Sequence, residues 1–190
     1  MATTTHKGFN PERIAYFEAN GWRAYYERKW FKLLRLIVVL SQEQFRIPFP
    51  RSLLAAYYVT SASMAWVPVD HDVQKVCKFY EKFYQMAARY SGLKFDPKRV
   101  VELELKYNDD HRRLVGSPDK SEFIQTMTEL HSAVFGITLE QAKESAEYRV
   151  LANNTVDLIT GKISTNVPGD WAKLENYLVK CYRSILNHLK

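Results

Sequence analysis

The sequence predicts an all-α protein, a compact single-domain bundle of about seven to eight helices with a central apolar helix near residues 22–45. Three observations carry this prediction. Apolar residues recur at helical spacing, as in Phe123, Met127, Leu130 and Val134. Glycine and proline number only 7 each and mostly fall between the apolar segments. No stretch alternates apolar and polar residues for long enough to predict a strand.

Length and composition indicate one globular domain. The chain has 190 residues, of which 46% are hydrophobic and 25% charged. We expect residues 1–9 to form a flexible N-terminus. The sequence lacks an apolar run of about 20 residues, so no membrane span is predicted. The first residues do not resemble a signal peptide, and two cysteines do not make a disulfide framework, so we expect a cytoplasmic protein.

The first third of the chain carries the less regular signals. Asn10-Pro11 is typical of a helix start, because the Asn side chain caps a free N–H and proline needs none. Asn20-Gly21 predicts a stop or kink, since both residues tolerate a left-handed backbone. A long helix is then expected from Trp22 to Phe45. The next helix is expected to start at Pro50 and to end near Trp66.

The later helices are bounded by clearer caps and stops. Thr138 to Gln141 has the form of a capping box, in which the two side chains satisfy each other's backbone N–H groups. The predicted limits of the five remaining helices are Asp70 or Asp72 to Gly92, Asp96-Pro97 to Gly116, Ser117-Pro118-Asp119 to Gly136, Thr138 to Gly161, and Asp170 to Leu189.

The predicted helix 22–45 is apolar nearly all round between Leu33 and Leu40, which is typical of a central helix with neighbours on several sides. Its polar strip carries a possible binding surface, the basic-aromatic face formed by Arg28, Lys32, Arg35 and Trp30. Basic side chains next to rings suit stacking on nucleic acid. The strip is short, and internal ion pairs or a solvated face explain it as well. We therefore regard nucleic acid as a disfavoured partner.

The net charge of +6 is unevenly distributed. Residues 121–160 hold six acidic and two basic side chains, while most of the remaining chain is mildly basic. Such asymmetry is compatible with self-association or with an anionic partner.

The motifs of metal and nucleophilic chemistry are missing from the sequence. No Asp or Glu has a His three residues later, which argues against a carboxylate-bridged metal pair. His71-Asp72 resembles the HD metal-dependent phosphohydrolases in two residues, but residues 7–70 lack an upstream histidine. We interpret Asp70 and Asp72 as helix caps. No nucleophile elbow or phosphate-binding loop is present, so we predict no catalytic residue, metal site or cofactor.

Several polar side chains nevertheless fall on apolar helix faces. Glu27 shares a face with Phe31, Leu34 and Val38, so we expect it to be buried. A buried carboxylate needs a cationic partner or a raised pKa, and the candidate partners include Arg149 and Arg113.

Two further groups of this kind lie later in the chain. Glu104, Tyr107 and His111 share one helix face, and Asn153 and Asp157 share another that also carries Arg149. We interpret His131 as a core histidine. A hypothetical interior pocket would be lined by the following residues: Glu27, Tyr107, His111 and Asn153.

These observations leave three hypotheses about function. The leading one is a non-enzymatic module that binds a protein partner or a second copy of itself as a homodimer, through aromatic-rich helix faces. The first alternative is a bundle whose interior pocket binds a small apolar ligand or cofactor, with or without catalysis. The second alternative is nucleic-acid binding through the basic-aromatic face.

Overall fold

The computed structural model describes residues 8–189, and within them it contains eight α-helices and no strand. The predicted all-α bundle of seven to eight helices is confirmed. The helices are α1 (Pro11–Tyr26), α2 (Trp30–Phe45), α3 (Arg51–Trp66), α4 (Val73–Ser91), α5 (Pro97–Leu114), α6 (Ser121–Phe135), α7 (Leu139–Thr160) and α8 (Val167–Leu186). None of these helices combines the length and the apolar character that a membrane crossing requires.

The helices pack in chain order around a ring. Each helix contacts the next one along the sequence, and α8 returns to pack against α1. This closing contact includes an ion pair between Glu12 and Arg183 and an edge-to-face contact between Phe9 and Tyr182. One connected cluster of buried apolar side chains draws on all eight helices.

The predicted helix caps are formed by the expected side chains. Asn10, Asp72 and Asp96 each accept a hydrogen bond from a backbone N–H of the first turn. Thr138 and Gln141 form the reciprocal capping box, at 3.2 and 2.9 Å. The starts of these four helices are therefore determined by side chains next to them in the sequence.

The prediction of one helix from 22 to 45 is wrong. Helix α1 continues through Asn20-Gly21 to Tyr26, and the chain turns at residues 27–29, where Arg28 has a φ of 56°. Asn20 does not interrupt the helix because its side-chain amide donates to the carbonyl of Tyr16, one turn earlier. Gly21 is buried inside α1, on the side that faces Leu33 of α2.

The expected central position of this segment is also wrong. Helix α2 buries only Leu33, Ser41 and Phe45, whereas α7 buries eight residues. Phe31 on α2 is 93% exposed. The apolar character that predicted a central helix therefore partly faces outward, and α7 is the more enclosed helix.

Two helix starts and the N-terminal boundary differ from prediction. Helix α6 begins at Ser121, and Asp119 caps it from two residues upstream. Helix α8 begins at Val167, three residues before the predicted Asp170, because the Asn166 side chain caps it. Residues 1–7, which we expected to be flexible, lie outside the described residues. The expected flexible segment extended to residue 9, and for Phe9 the expectation is wrong, because its side chain is buried.

Candidate ligand-binding cavity

A cavity of about 500 Å³ lies between six of the helices: α1, α2, α3, α4, α5 and α7. Most of its lining is apolar or aromatic. Among the lining residues, only Tyr26, Arg112 and Val115 are exposed. These three lie at the last residue of α1 and around the end of α5, so the cavity meets solvent at that end of the two helices.

A buried ion pair joins α1 and α7 at the cavity wall. Arg149 Nη1 lies 2.5 Å from Glu18 Oε1, and the two side chains are 15% and 9% exposed. Tyr182 donates a hydrogen bond to the other oxygen of Glu18, at 2.6 Å. The guanidinium group also lies over the ring of Trp22, 4.8 Å from its centroid. Burial alone would lower the pKa of Arg149, but the charge of Glu18 outweighs it and holds that pKa above its ordinary value.

A second carboxyl group, that of Glu104 on α5, also lines the cavity, but within residues 8–189 it has fewer hydrogen bonds than Glu18 and no ion pair. Its Oε2 accepts a hydrogen bond from the hydroxyl of Tyr84, at 2.8 Å. Burial raises the pKa of Glu104, and the Tyr84 donor and the charge of Arg149 only partly oppose that rise. Asn108 donates to the backbone carbonyl of Glu104, at 2.8 Å, and its amide also lies 3.4 Å from the Tyr80 hydroxyl. This part of the wall is therefore polar but holds no cation in contact with Glu104.

A hydrogen-bonded network connects α5 with α7. The Tyr107 hydroxyl donates to Asn153 Oδ1 at 3.0 Å, and Asn153 Nδ2 donates to the carbonyl of Arg149 at 3.1 Å. Nearer the end of α5, His111 Nε2 lies 2.9 Å from Asp157 Oδ1. Burial raises the pKa of Tyr107, which keeps its hydroxyl protonated and able to donate. These bonds fix the polar side chains of the wall in position.

Three buried polar atoms of the described residues have no hydrogen-bond partner: Thr60 Oγ1, Arg149 Nε and Asp157 Oδ2. All three residues line this cavity. Buried polar atoms in folded proteins are almost always hydrogen-bonded, because an unmade bond costs about 1–3 kcal/mol. The lining therefore offers unused hydrogen-bonding capacity on two sides, at α3 and at α7.

The structure brings together three of the four residues predicted to line a pocket. Tyr107, His111 and Asn153 all lie in the cavity wall. Glu27 does not, and the expectation that it is buried is wrong. It follows the end of α1, where Lys29 and Arg23 bind its carboxylate and lower its pKa to about 2.

The partners expected for Glu27 also bind elsewhere. Arg149 pairs with Glu18, and Arg113 pairs with Asp110 and Glu122. The sequence thus indicated a buried arginine–glutamate pair but named the wrong glutamate. A signal for Glu18 was present, because it lies on the apolar face of α1 with Ile14 and Ala15, but its partner is on a helix distant in sequence.

The predicted basic-aromatic face is divided by the turn between α1 and α2. Arg28 lies in that turn, whereas Lys32 and Arg35 are on α2, so the three do not share one helix face. Trp30 begins α2 and packs edge-to-face on Tyr25. Binding of nucleic acid through these residues stays a prediction.

Two further histidines, His131 and His71, have structural partners. His131 is buried and lies 2.8 Å from the Ser145 hydroxyl, and it does not line the cavity. His71 packs on Trp66 and lies 2.8 Å from the Pro68 carbonyl, next to Asp72, which caps α4. In residues 8–189, no group of three or more His, Cys, Asp or Glu side chains is placed to hold a metal ion.

Comparisons of the chain with protein-family models, with curated proteins and with solved structures find no match. The function must therefore be inferred from the cavity and the surface of this chain alone.

Proposed function

We propose that the protein binds a small molecule with a largely apolar body in the cavity between its helices. The observation that carries this proposal is that the three described residues with an unpartnered buried polar atom all line one cavity. A volume of about 500 Å³ also falls within the range of about 300–1,000 Å³ that small-molecule sites have.

The composition of the wall supports binding of an amphipathic molecule. Rings and aliphatic side chains of α1 and α2 supply apolar surface, and α5 and α7 supply polar groups held by hydrogen bonds. Such a site binds by apolar burial and orients the ligand through a few polar contacts.

We restrict the proposed role to binding, without chemical conversion. Two pairs of ionisable groups at the cavity are committed to each other, Glu18 with Arg149 and His111 with Asp157. An arginine that is ion-paired with a glutamate does not release its proton, so the first pair does not supply a general acid.

Tryptophan fluorescence tests the proposal, because Trp22 and Trp66 both line the cavity. Titration of the full chain with a panel of small aromatic compounds is expected to give saturable changes in emission. Ser63→Leu adds carbon atoms at the cavity wall and should weaken binding at least about tenfold, since a filled volume excludes the ligand.

Ser61→Leu is the matched control, because it makes the same change on α3 at a residue outside the lining. We expect it to leave the affinity unchanged. If no compound of the panel gives saturable binding to the wild-type chain, or if both variants weaken binding equally, the cavity is not the ligand site.

A second candidate function, self-association through α2, is favoured by the exposure of its apolar side chains. Phe31 is 93% exposed, and on α3 Tyr57 and Met64 are 53% and 52% exposed. Large exposed apolar side chains that lie together are typical of protein interfaces. We propose that a second copy of the chain covers this surface.

Light scattering at rising protein concentration tests that candidate. We expect a dimer in the wild type and a monomer in Phe31→Lys. Ile163→Lys is the control, because Ile163 is also apolar and is 68% exposed, but it lies in the loop before α8. A monomeric wild type at high concentration would rule out this second function.

A further inference from the structure

One carboxyl group of the cavity wall, that of Glu104, has no cation in contact among the described residues. Glu18 and Arg149 neutralise each other across α1 and α7. Asp157 has His111 on one of its oxygens. Glu104 is the third carboxylate of the wall, and in residues 8–189 no Lys, Arg or His forms an ion pair with it. A cation bound in the cavity would meet this carboxyl group without displacing another cation.

Only one of the two carboxylate oxygens of Glu104 accepts a hydrogen bond from the described residues. Tyr84 donates to Oε2, and no donor among the described residues reaches Oε1. The charge of Arg149 acts on Glu104 only from a distance, because the guanidinium is hydrogen-bonded to Glu18. A carboxylate removed from water is stable only if donors or an opposite charge replace its hydration. A ligand in the cavity can supply both.

Asp157 provides a second acceptor of the same kind. Its Oδ1 is occupied by His111, while its Oδ2 is buried and has no partner. An ammonium group carries up to three N–H donors and one positive charge, so it matches the hydrogen-bonding capacity that these carboxylates leave unused.

The aromatic part of the wall also favours a cation. The faces of aromatic rings carry negative electrostatic potential and attract ammonium groups, most strongly where water is excluded. Six of the lining residues are Tyr or Trp side chains on four different helices: Trp22, Tyr25, Tyr26, Trp66, Tyr80 and Tyr107.

An anionic ligand is the less favourable alternative. Arg149 is the buried cation of the wall. Its Nε has no hydrogen-bond partner in the described part of the chain, but Glu18 binds its Nη1 and neutralises its charge, and the ring of Trp22 covers the guanidinium. Arg112 lies at the exposed end of the cavity and donates to the backbone carbonyl of Trp66. An anion would have to compete with Glu18 and would be repelled by Glu104.

We propose that the ligand is an organic cation, whose ammonium group binds the carboxylate of Glu104 and whose apolar body lies against the aromatic wall. This assignment rests on the proposed function, since it names the class of molecule that the cavity binds. The charged hydrogen bond and the ring contacts together predict an affinity about tenfold or more above that of a neutral analogue.

Three compounds that share one ring and differ in the charged group test the proposal: 2-phenylethylammonium, 2-phenylethanol and phenylacetate. Their binding to the full chain is measured by calorimetry and by tryptophan fluorescence at neutral pH. We expect the ammonium compound to bind at least about tenfold more tightly than the alcohol, and phenylacetate to bind most weakly.

Glu104→Gln removes the charge and keeps an oxygen that can accept from Tyr84. We expect this variant to lose the preference for the ammonium compound and to keep its affinity for the alcohol. Glu102→Gln is the matched control, because Glu102 is on the same helix, outside the lining, with its side chain 67% exposed. It should keep the wild-type preference.

The outcomes separate this proposal from the one on which it rests. If the wild type binds the alcohol or phenylacetate as tightly as the ammonium compound, the ligand is not a cation, but the cavity is still a binding site. If the wild type binds none of the three, both proposals fail. The comparison of the three compounds on the wild type decides between these outcomes even if Glu104→Gln does not fold.

Discussion

Arg149 of α7 and Glu18 of α1 form an ion pair of 2.5 Å in the interior of the protein, and a hydrogen bond from Tyr182 of α8 completes it. The carboxylate of Glu18 therefore links three helices, α1, α7 and α8. Helices α1 and α7 are far apart in sequence, so no short connection holds them together. The ion pair therefore helps to hold α1 beside α7 at the cavity.

Glu18→Gln is expected to lower the free energy of unfolding by about 3 kcal/mol, because it leaves the buried guanidinium of Arg149 without its counter-charge. Urea unfolding followed by circular dichroism measures the change. Glu12→Gln is the control, since Glu12 forms its ion pair with Arg183 at the exposed surface, and it should leave the unfolding midpoint unchanged. Equal effects of the two variants would contradict a special role for the interior pair.

Gly21→Ala should stabilise the protein by about 0.5–1 kcal/mol, because Gly21 lies inside the continuous helix α1 and alanine is the better helix former. An added Cβ would meet only Leu33 Cδ1, at 3.9 Å, which is an ordinary contact. Gly136→Ala provides the contrast. Its φ of 66° strains any side chain, so we expect a loss of about 1 kcal/mol. A destabilising Gly21→Ala would mean that α1 is interrupted at this residue.

Acid should destabilise the protein in part through His131. Burial lowers the pKa of His131 to about 3, while the unfolded chain takes up the proton near its ordinary pKa of 6.5. Between these values the unfolded state binds more protons than the folded state, so stability falls as the pH drops below about 6.5.

Unfolding free energies at pH 7 and pH 4.5 measure this contribution. The loss between the two pH values is expected to be smaller in His131→Gln than in the wild type. Ser145→Ala removes the hydrogen-bond partner but keeps the buried imidazole, so it should retain the wild-type pH dependence. If His131→Gln has the same pH dependence as the wild type, the buried histidine is not responsible.

Thr138→Ala is expected to cost about 1 kcal/mol, because the Thr138 side chain satisfies the backbone N–H of Gln141 in the capping box of α7. Thr160→Ala makes the same change near the other end of α7, where the hydroxyl bonds to the carbonyl of Val156, and should stay within about 0.5 kcal/mol of the wild type. Thermal unfolding compares the two variants, and a larger effect at Thr160 would argue against the cap.

Local sequence determines the later helices well because their ends depend on neighbouring residues. Gly92 and Gly136 follow the last turns of α4 and α6 with φ of 78° and 66°, a conformation for which glycine is the favoured residue. The turn after α1 could not be predicted in this way. Gly21 suggested a stop at that residue, but the helix continues through it, and the left-handed residue of the turn is Arg28, which is not a glycine. We infer that the position of this turn depends on how α2 packs against α1, and local sequence does not determine that packing.

The candidate site was predictable to the extent that polar residues interrupt apolar faces. Tyr107, His111 and Asn153 were identified on that basis, and all three line the cavity. Glu27 has the same local pattern but is exposed, because the helix that would have buried it ends one residue earlier. Pairing between distant helices, as in Glu18 with Arg149, cannot be assigned from spacing along one helix.

The ring of chain-order contacts has a consequence for how the polypeptide folds during synthesis. Helices that contact their sequence neighbours can pack as they emerge, and such local topologies fold quickly. Helix α1 is the exception, because the face that carries Glu18 packs against α8, where Tyr182 donates to Glu18. Helix α1 must therefore keep that surface uncovered until α8 has been translated, and the contact between α1 and α8 forms after the contacts between sequence neighbours.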